Sequence, residues 1–465
     1  MSVVKKSVPK SHLFNKKDLA LYELGYIFSD CSVWFDSKMD KRIATFDLII
    51  RDMPKNRNFL VFCGIEEIVD AIKDWHYSKE DIKELLKIGV ISKNFAKYLN
   101  NFKFSGEIYS MREGTIFFPG EPVIRVTAPI IEASIIGAFL STAVFSNTIF
   151  SSKAIRSVIA ANGKPVIGSI SHRVHAFESS LKCARASFIC GATGGTAMPI
   201  FSKKYNLGIK EPALNLACHA YITSFPTELE AMRKITTRFG AAALMVDTYN
   251  FDKGLDNAIK VGLEMKQKNK DLFGILLDSG DIYELSVKTR KRLDSFGLNN
   301  TKILVAGNLE ENRIHELEMK KAPIDTYLAV TEVATVYDDP KLETIYKLAE
   351  IENKGKVSFC AKFAPGKQTY PGKKQVFREY KSGKFSKDVI GLSEEKLGEE
   401  LLVPVIKNGK VIYHYPNLWE IREFVKLQLS KLPNNLLSIK EQHNYLLEYS
   451  EKIKVLTEEI RKKHC

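Results

Sequence analysis

In the stretch LFGILLDSGDIYELS, from Leu272 to Ser286, an apolar run ends in Asp278-Ser279-Gly280-Asp281. A carboxylate that closes a buried strand needs partners. Two of them bracketing a hydroxyl and a glycine suit a ligand rich in hydroxyls or carrying a metal. Other apolar runs end in comparable groups: Ser171, His172 and Arg173 after KPVIGSI, His219 after NLAC, and Asp247 and Thr248 after AALMV. Gly307 and Asn308 follow TKILVA, and Thr331 follows IDTYLAV. Together they fit a sugar phosphate with bound Mg²⁺, because hard oxygen ligands suit Mg²⁺ and N–H groups at helix starts suit phosphate. Each residue also has a plainer reading. Asp281 could cap a helix, His219 could be a satisfied loop residue, Arg173 could form a surface ion pair, and the lysines of 362–378 could be a solvated loop.

These groups can act together only if the chain brings them to one place. From 164 to about 351, short apolar runs alternate with helical patterns, among them Thr227–Gly240 with Thr227 as N-cap and Gly240 as stop. Strand ends recur regularly: Asp247 to Asp278 is 31 residues and Asp278 to Asn308 is 30. Repeated βα units of this length imply a parallel sheet, and six or seven of them, IYKLAEI being the last, favour a barrel. In a barrel, the loops after the strands converge on one face. No G-x-G-x-x-G follows the first strand, so a dinucleotide site is not supported. Residues 15–125 mix strand-like and helical segments, as in a separate α+β domain. The expected division is 1–130, 131–355 and 356–465, with part of the last segment packing back on the first.

Composition narrows the class. The 465 residues are 45% hydrophobic and 27% charged, as in an ordinary globular protein. The seven cysteines include no C-x-x-C pair, which argues against disulfide frameworks and zinc ribbons. The apolar run 130–145 carries Glu132 and reads as a buried helix, not a membrane span. The basic N-terminus has no apolar signal region, so a cytoplasmic location is expected. The net charge of +14 is spread along the chain without a nucleic-acid reader motif, and suits a solvated surface or an anionic small substrate.

Four stretches carry a family resemblance: FDLIIRDMPKNRNFLVFCGIEE (46–67), EGTIFFPGEPVIRVTAPIIEA (113–133), the series MVDTYN, LLDSGDI and IYKLAEI, and AKFAPGKQTYPGKKQVFREY (361–380). In order and spacing the chain resembles nicotinate phosphoribosyltransferase, of the type II phosphoribosyltransferases, over most of its length. The resemblance implies an α/β fold, an irregular α/β barrel with an N-terminal α+β sandwich domain and a C-terminal extension, with the active site at a homodimer interface. It implies that nicotinate and phosphoribosyl pyrophosphate give nicotinate mononucleotide and pyrophosphate, with Mg²⁺ as cofactor and ATP as co-substrate. The family's transiently phosphorylated histidine falls on His219. Asp278 and Asp281 would then hold ribose hydroxyls and metal, beside Asp247, Ser279, Gly307 and Asn308. Lys362, Lys367 and Lys374 match the family's basic loop and would attract pyrophosphate or ATP phosphates.

The chain also departs from the family pattern. Leu276 stands where an arginine usually precedes D-S-G-D. The D-F-G-x-R-R stretch reads Gly168-Ser169-Ile170-Ser171-His172-Arg173, without the stacking aromatic and the first arginine. G-T-S-N reads Gly195-Thr196-Ala197-Met198, G-x-G-T reads Leu328-Ala329-Val330-Thr331, and an early tyrosine falls on Ala20. These losses cluster on base and 5′-phosphate recognition. Three readings stay open: a working enzyme in which Arg173 and nearby lysines replace the clamp, an enzyme for nicotinamide or another base, and a non-catalytic paralogue.

Overall fold

The computed structural model describes residues 16–168, 172–193, 199–206 and 214–464. Six short parallel strands carry the mouth: β1 (Val166–Ile167), β2 (Asn215–Ala217), β3 (Ala242–Met245), β4 (Gly274–Leu277), β5 (Lys302–Val305) and β6 (Thr326–Leu328). They lie in the order β1-β6-β5-β4-β3-β2, so the first strand is paired with the last, as barrel closure requires. Ile167 adds a parallel bridge to Thr193 at the remaining seam. The strands AALM and GILL are buried at every position. Burial on both faces is the reason such runs are continuously apolar rather than alternating.

The helices follow from the same sequence signals. The longest, α1 (Gly137–Ala160), precedes the barrel, and α2 (Phe177–Ile189) follows β1. After β2 come α3 (His219–Thr223) and α4 (Glu228–Phe239), then α5 (Phe251–Lys266), α6 (Ile282–Ser295), α7 (Glu311–Met319) and α8 (Thr331–Thr335) after successive strands. Thr227 caps α4 by accepting from Glu230 N at 3.2 Å, and Gly240 ends it at φ 69°. The stretch 130–160 has membrane-spanning length and apolarity, yet 72% of its most apolar window is buried inside the protein. Its hydroxyls satisfy the open edge of the strand Leu60–Val61: Ser152 Oγ accepts from Val61 N at 3.0 Å, and Ser151 Oγ donates to Val61 O at 2.6 Å. The same helix packs against α7 on the barrel side and against the strand 344–353 on the other, and these backbone partners explain serines and threonines in a buried helix.

A seven-stranded antiparallel sheet forms the sandwich, in the order 356–359, 344–353, 43–50, 122–129, 107–111, 402–407, 410–411. The run IYKLAEI, expected in the barrel, belongs here instead. It pairs antiparallel with the strand Ile43–Ile50, Leu348 opposite Phe46 and Ile345 opposite Ile49. Few of its side chains are fully buried, unlike those of the parallel strands. The sheet thus combines strands from 43–129 with strands from 344–411, so strand 344–353 belongs with it and not with the barrel. The C-terminal segment also supplies the helix Leu418–Lys431, whose Arg422 donates to the carbonyls of Gly191 and Ala192, both at 2.7 Å, just past the end of α2.

Candidate active site

The barrel strands stop at or just before the end of their apolar runs, and the residues beyond form the rim. His219 opens α3 immediately after β2. Its Nδ1 lies 3.1 Å from Thr248 Oγ1 beyond β3, and its Nε2 lies 3.8 Å from Asp278 Oδ2 beyond β4. Three consecutive strand ends therefore meet at one imidazole. Both partners are open to solvent, with 46% of the His219 and 37% of the Asp278 side chain exposed. An imidazole oriented by a hydroxyl on one nitrogen and facing a carboxylate with the other can hold or move a proton, or accept a phosphoryl group.

Asp247, at the end of β3, accepts from Ser279 Oγ at 2.5 Å through Oδ2. Its Oδ1 is buried and has no hydrogen-bond partner among the described residues. Partial burial pushes the Asp278 carboxyl above the usual range and the Asp247 charge adds to this, while His219 and Arg173 oppose it. The site therefore brings two carboxylate charges within reach of each other. Two neighbouring carboxylates with hard oxygen donors fit Mg²⁺ of the kind that completes its shell with substrate phosphates and water. Among the described residues no group of three or more His, Cys, Asp or Glu could hold a metal by itself.

Asp281 accepts from Tyr283 N at 3.0 Å and Glu284 N at 3.2 Å through Oδ1, and is the N-cap of α6. Helix capping accounts for that oxygen, and the carboxylate whose charge acts on Asp278 is Asp247. Gly307 has φ 80°, and a Cβ there would stand 2.3 Å from the Asp278 carbonyl oxygen. Asn308 follows at φ 49°. This turn can lie against the D-S-G-D turn only because residue 307 has no side chain.

On the other side of the mouth, Arg173 Nη1 lies 3.4 Å from Thr331 Oγ1 at the start of α8. Its guanidinium acts on both Asp278 and Glu332. The Arg173 charge thus acts on the carboxylate turn despite Leu276. Sequence reasoning missed Glu332, although it follows Thr331 directly past an apolar run. Burial holds its carboxyl above the usual range, offset in part by Lys153 and Arg173. Ser171 and Thr196 lie outside the described residues.

The three lysines separate. Lys362 and Lys367 are exposed on the loop beyond the edge strand Lys356–Phe359. Lys374 is not part of a phosphate-attracting surface: it is 2% exposed, sits 2.7 Å from Asp47 Oδ2, and donates to the carbonyls of Tyr370 and Gly372 at 2.6 and 3.0 Å. A lysine in a Pro-Gly-Lys-Lys stretch reads as a surface cation, but this one neutralises a buried carboxylate of the sandwich.

Known proteins resemble this chain over most of its length. Residues 25–144 match the nicotinate phosphoribosyltransferase N-terminal domain and residues 396–457 the C-terminal domain of the same family. Nicotinate phosphoribosyltransferase pncB2 of Mycobacterium tuberculosis is 33% identical over 413 residues, covering 88% of this chain and 87% of the relative. The nicotinate phosphoribosyltransferase of Bacillus subtilis is 28% identical over 94% of both chains. In fold, the chain is similar to human nicotinic acid phosphoribosyltransferase, with a TM-score of 0.78 at 18% identity over 94% of this chain and 99% of that one. The chain that folds around this acidic, histidine-bearing rim belongs to the nicotinate phosphoribosyltransferase family of enzymes.

Proposed function

We propose that this chain joins nicotinate to phosphoribosyl pyrophosphate, forming nicotinate mononucleotide and releasing pyrophosphate. The observation that carries this reading is the convergence of His219, Asp278 and Asp247 at one mouth, within 3.8 Å from imidazole to carboxylate. As the C1–O bond to pyrophosphate lengthens, positive charge develops on the pentose ring. In this reading the Asp278 carboxylate stabilises that charge and accepts hydrogen bonds from ribose hydroxyls. Ser279 holds the Asp247 carboxylate in place through its short hydrogen bond. Arg173 supplies the cation for the nicotinate carboxylate, and Thr331 beside it a hydroxyl for the 5′-phosphate. Asp247 and Asp278 would hold Mg²⁺, which when bound neutralises the leaving pyrophosphate.

ATP coupling runs through His219 in this reading. The imidazole accepts the γ-phosphoryl group of ATP, ADP leaves, and water later releases phosphate. Thr248 fixes the ring for this transfer. Lys362 and Lys367 stand next to an open sheet edge, which supports a homodimer in which they reach a partner's mouth.

The test is mass-spectrometric detection of products from the purified chain with phosphoribosyl pyrophosphate and each pyridine base, with and without ATP and Mg²⁺. The reading expects nicotinate mononucleotide, formed faster with ATP. Consumption of nicotinamide alone would replace nicotinate as the base, and no mononucleotide from any base would leave only a binding role.

A further inference from the structure

Behind the mouth, three cations and two carboxylates are packed away from water. Lys153 Nζ, on α1, lies 2.6 Å from Glu311 Oε2 and 3.1 Å from Asp338 Oδ1. Arg156 Nε, one turn further along, lies 3.0 Å from Glu311 Oε1, and its Nη2 donates to Ile439 O at 2.7 Å. Arg57, on the loop between the strands Ile43–Ile50 and Leu60–Val61, holds Asp338 with both terminal nitrogens, at 2.7 and 3.3 Å. No side chain of the five is more than 9% exposed.

A buried ion cluster is a poor source of net stability, because desolvation offsets most of the attraction. Its placement points to a different role. Glu311 opens α7, just after Gly307 and Asn308. Asp338 ends the segment that begins with Thr331 at the start of α8. Both carboxylates are therefore the inner anchors of rim loops, and both are bound by the same Lys153. Asp339 reinforces the second anchor by accepting from Lys55 N at 2.8 Å. Between Thr331 and the anchor, Val336 sits at φ 47°, ψ 46°, an uncommon conformation for a β-branched residue that must be held by its surroundings. Arg57 and Lys153 overcome the effect of burial and hold the Asp338 carboxyl below the usual range, so the clamp is ionised at neutral pH.

We infer that this cluster sets the distance between the 307–308 turn and Thr331, making Glu311 and Asp338 positioning residues for the phosphoribosyl end of the substrate. The inference rests on the reaction proposed above. Asp338→Asn, made in the full chain, removes a charge while keeping the shape. It is expected to raise KM for phosphoribosyl pyrophosphate roughly tenfold, with kcat and KM for nicotinate within about twofold. Arg57→Lys keeps the charge but gives up the two-pronged grip, and is expected to give a smaller rise in the same constant; it carries the test if the first variant does not fold. An unchanged KM for phosphoribosyl pyrophosphate in the folded variants, or an equal loss in every constant with lower thermal stability, would show a plain core ion cluster and overturn the inference. A wild-type chain that makes no mononucleotide would instead remove the reaction itself.

Discussion

Gly307→Ala tests how tightly the rim is built. The added Cβ would start 2.3 Å from the Asp278 carbonyl oxygen, whereas ordinary contact begins near 3.4 Å. The two turns must therefore separate by about 1 Å, because the obstructing atom is backbone and cannot rotate away. The backbone at φ 80° adds a further penalty for any L side chain, and together these cost on the order of 1–3 kcal/mol of stability. Displacing Asp278 by that distance from the pentose should lower kcat about 10²-fold. The assay is steady-state mononucleotide formation at saturating substrates, beside a thermal melt. A variant that melts lower yet keeps wild-type kcat would show that the 307 turn supports the fold without setting the position of Asp278, and the reasoning would fail.

Other expectations follow from single contacts. His219→Ala should abolish stimulation by ATP, measured as the ratio of rates with and without it; an unchanged ratio would make the histidine structural. Lys374→Met leaves Asp47 charged and unpaired in the sandwich, which should cost about 3–5 kcal/mol in denaturant unfolding while the kcat of folded protein persists. A large loss of kcat without destabilisation would restore Lys374 to a substrate role. Asp278 must be ionised to act, and burial with Asp247 holds its carboxyl above the usual range. Activity should therefore fall on acidification through that raised value. Arg173 opposes the rise, so Arg173→Gln should move the acidic limb of the kcat/KM profile to higher pH; an unmoved or lower limb would contradict the placement of Arg173 near Asp278.

The barrel half of the fold was legible because its signals are local. The runs AALM and GILL are buried on both faces, so apolar continuity marked them, and Thr227, Gly240 and Asp281 act at helix ends as their types suggest. The convergence of His219, Asp247 and Asp278 was legible for the same reason, since each closes one parallel strand. What could not be read depends on partners remote in sequence. IYKLAEI looks like a seventh barrel strand until residues 43–50 are placed beside it, and Lys374 looks solvated until Asp47 is. Lys153 and Glu311 are 158 residues apart, and no spacing rule pairs them. Gly307 was visible as a turn residue, but its closeness to the Asp278 carbonyl depends on how adjacent strands pack.

The most direct measurement of the central claim is the yield of nicotinate mononucleotide and pyrophosphate from the wild type and from Asp278→Ala under identical conditions. Stoichiometric products from the wild type, and a rate roughly 10²- to 10³-fold lower in the variant, are the predicted results. Wild-type turnover in the variant would contradict the assignment of the acidic rim to the pentose.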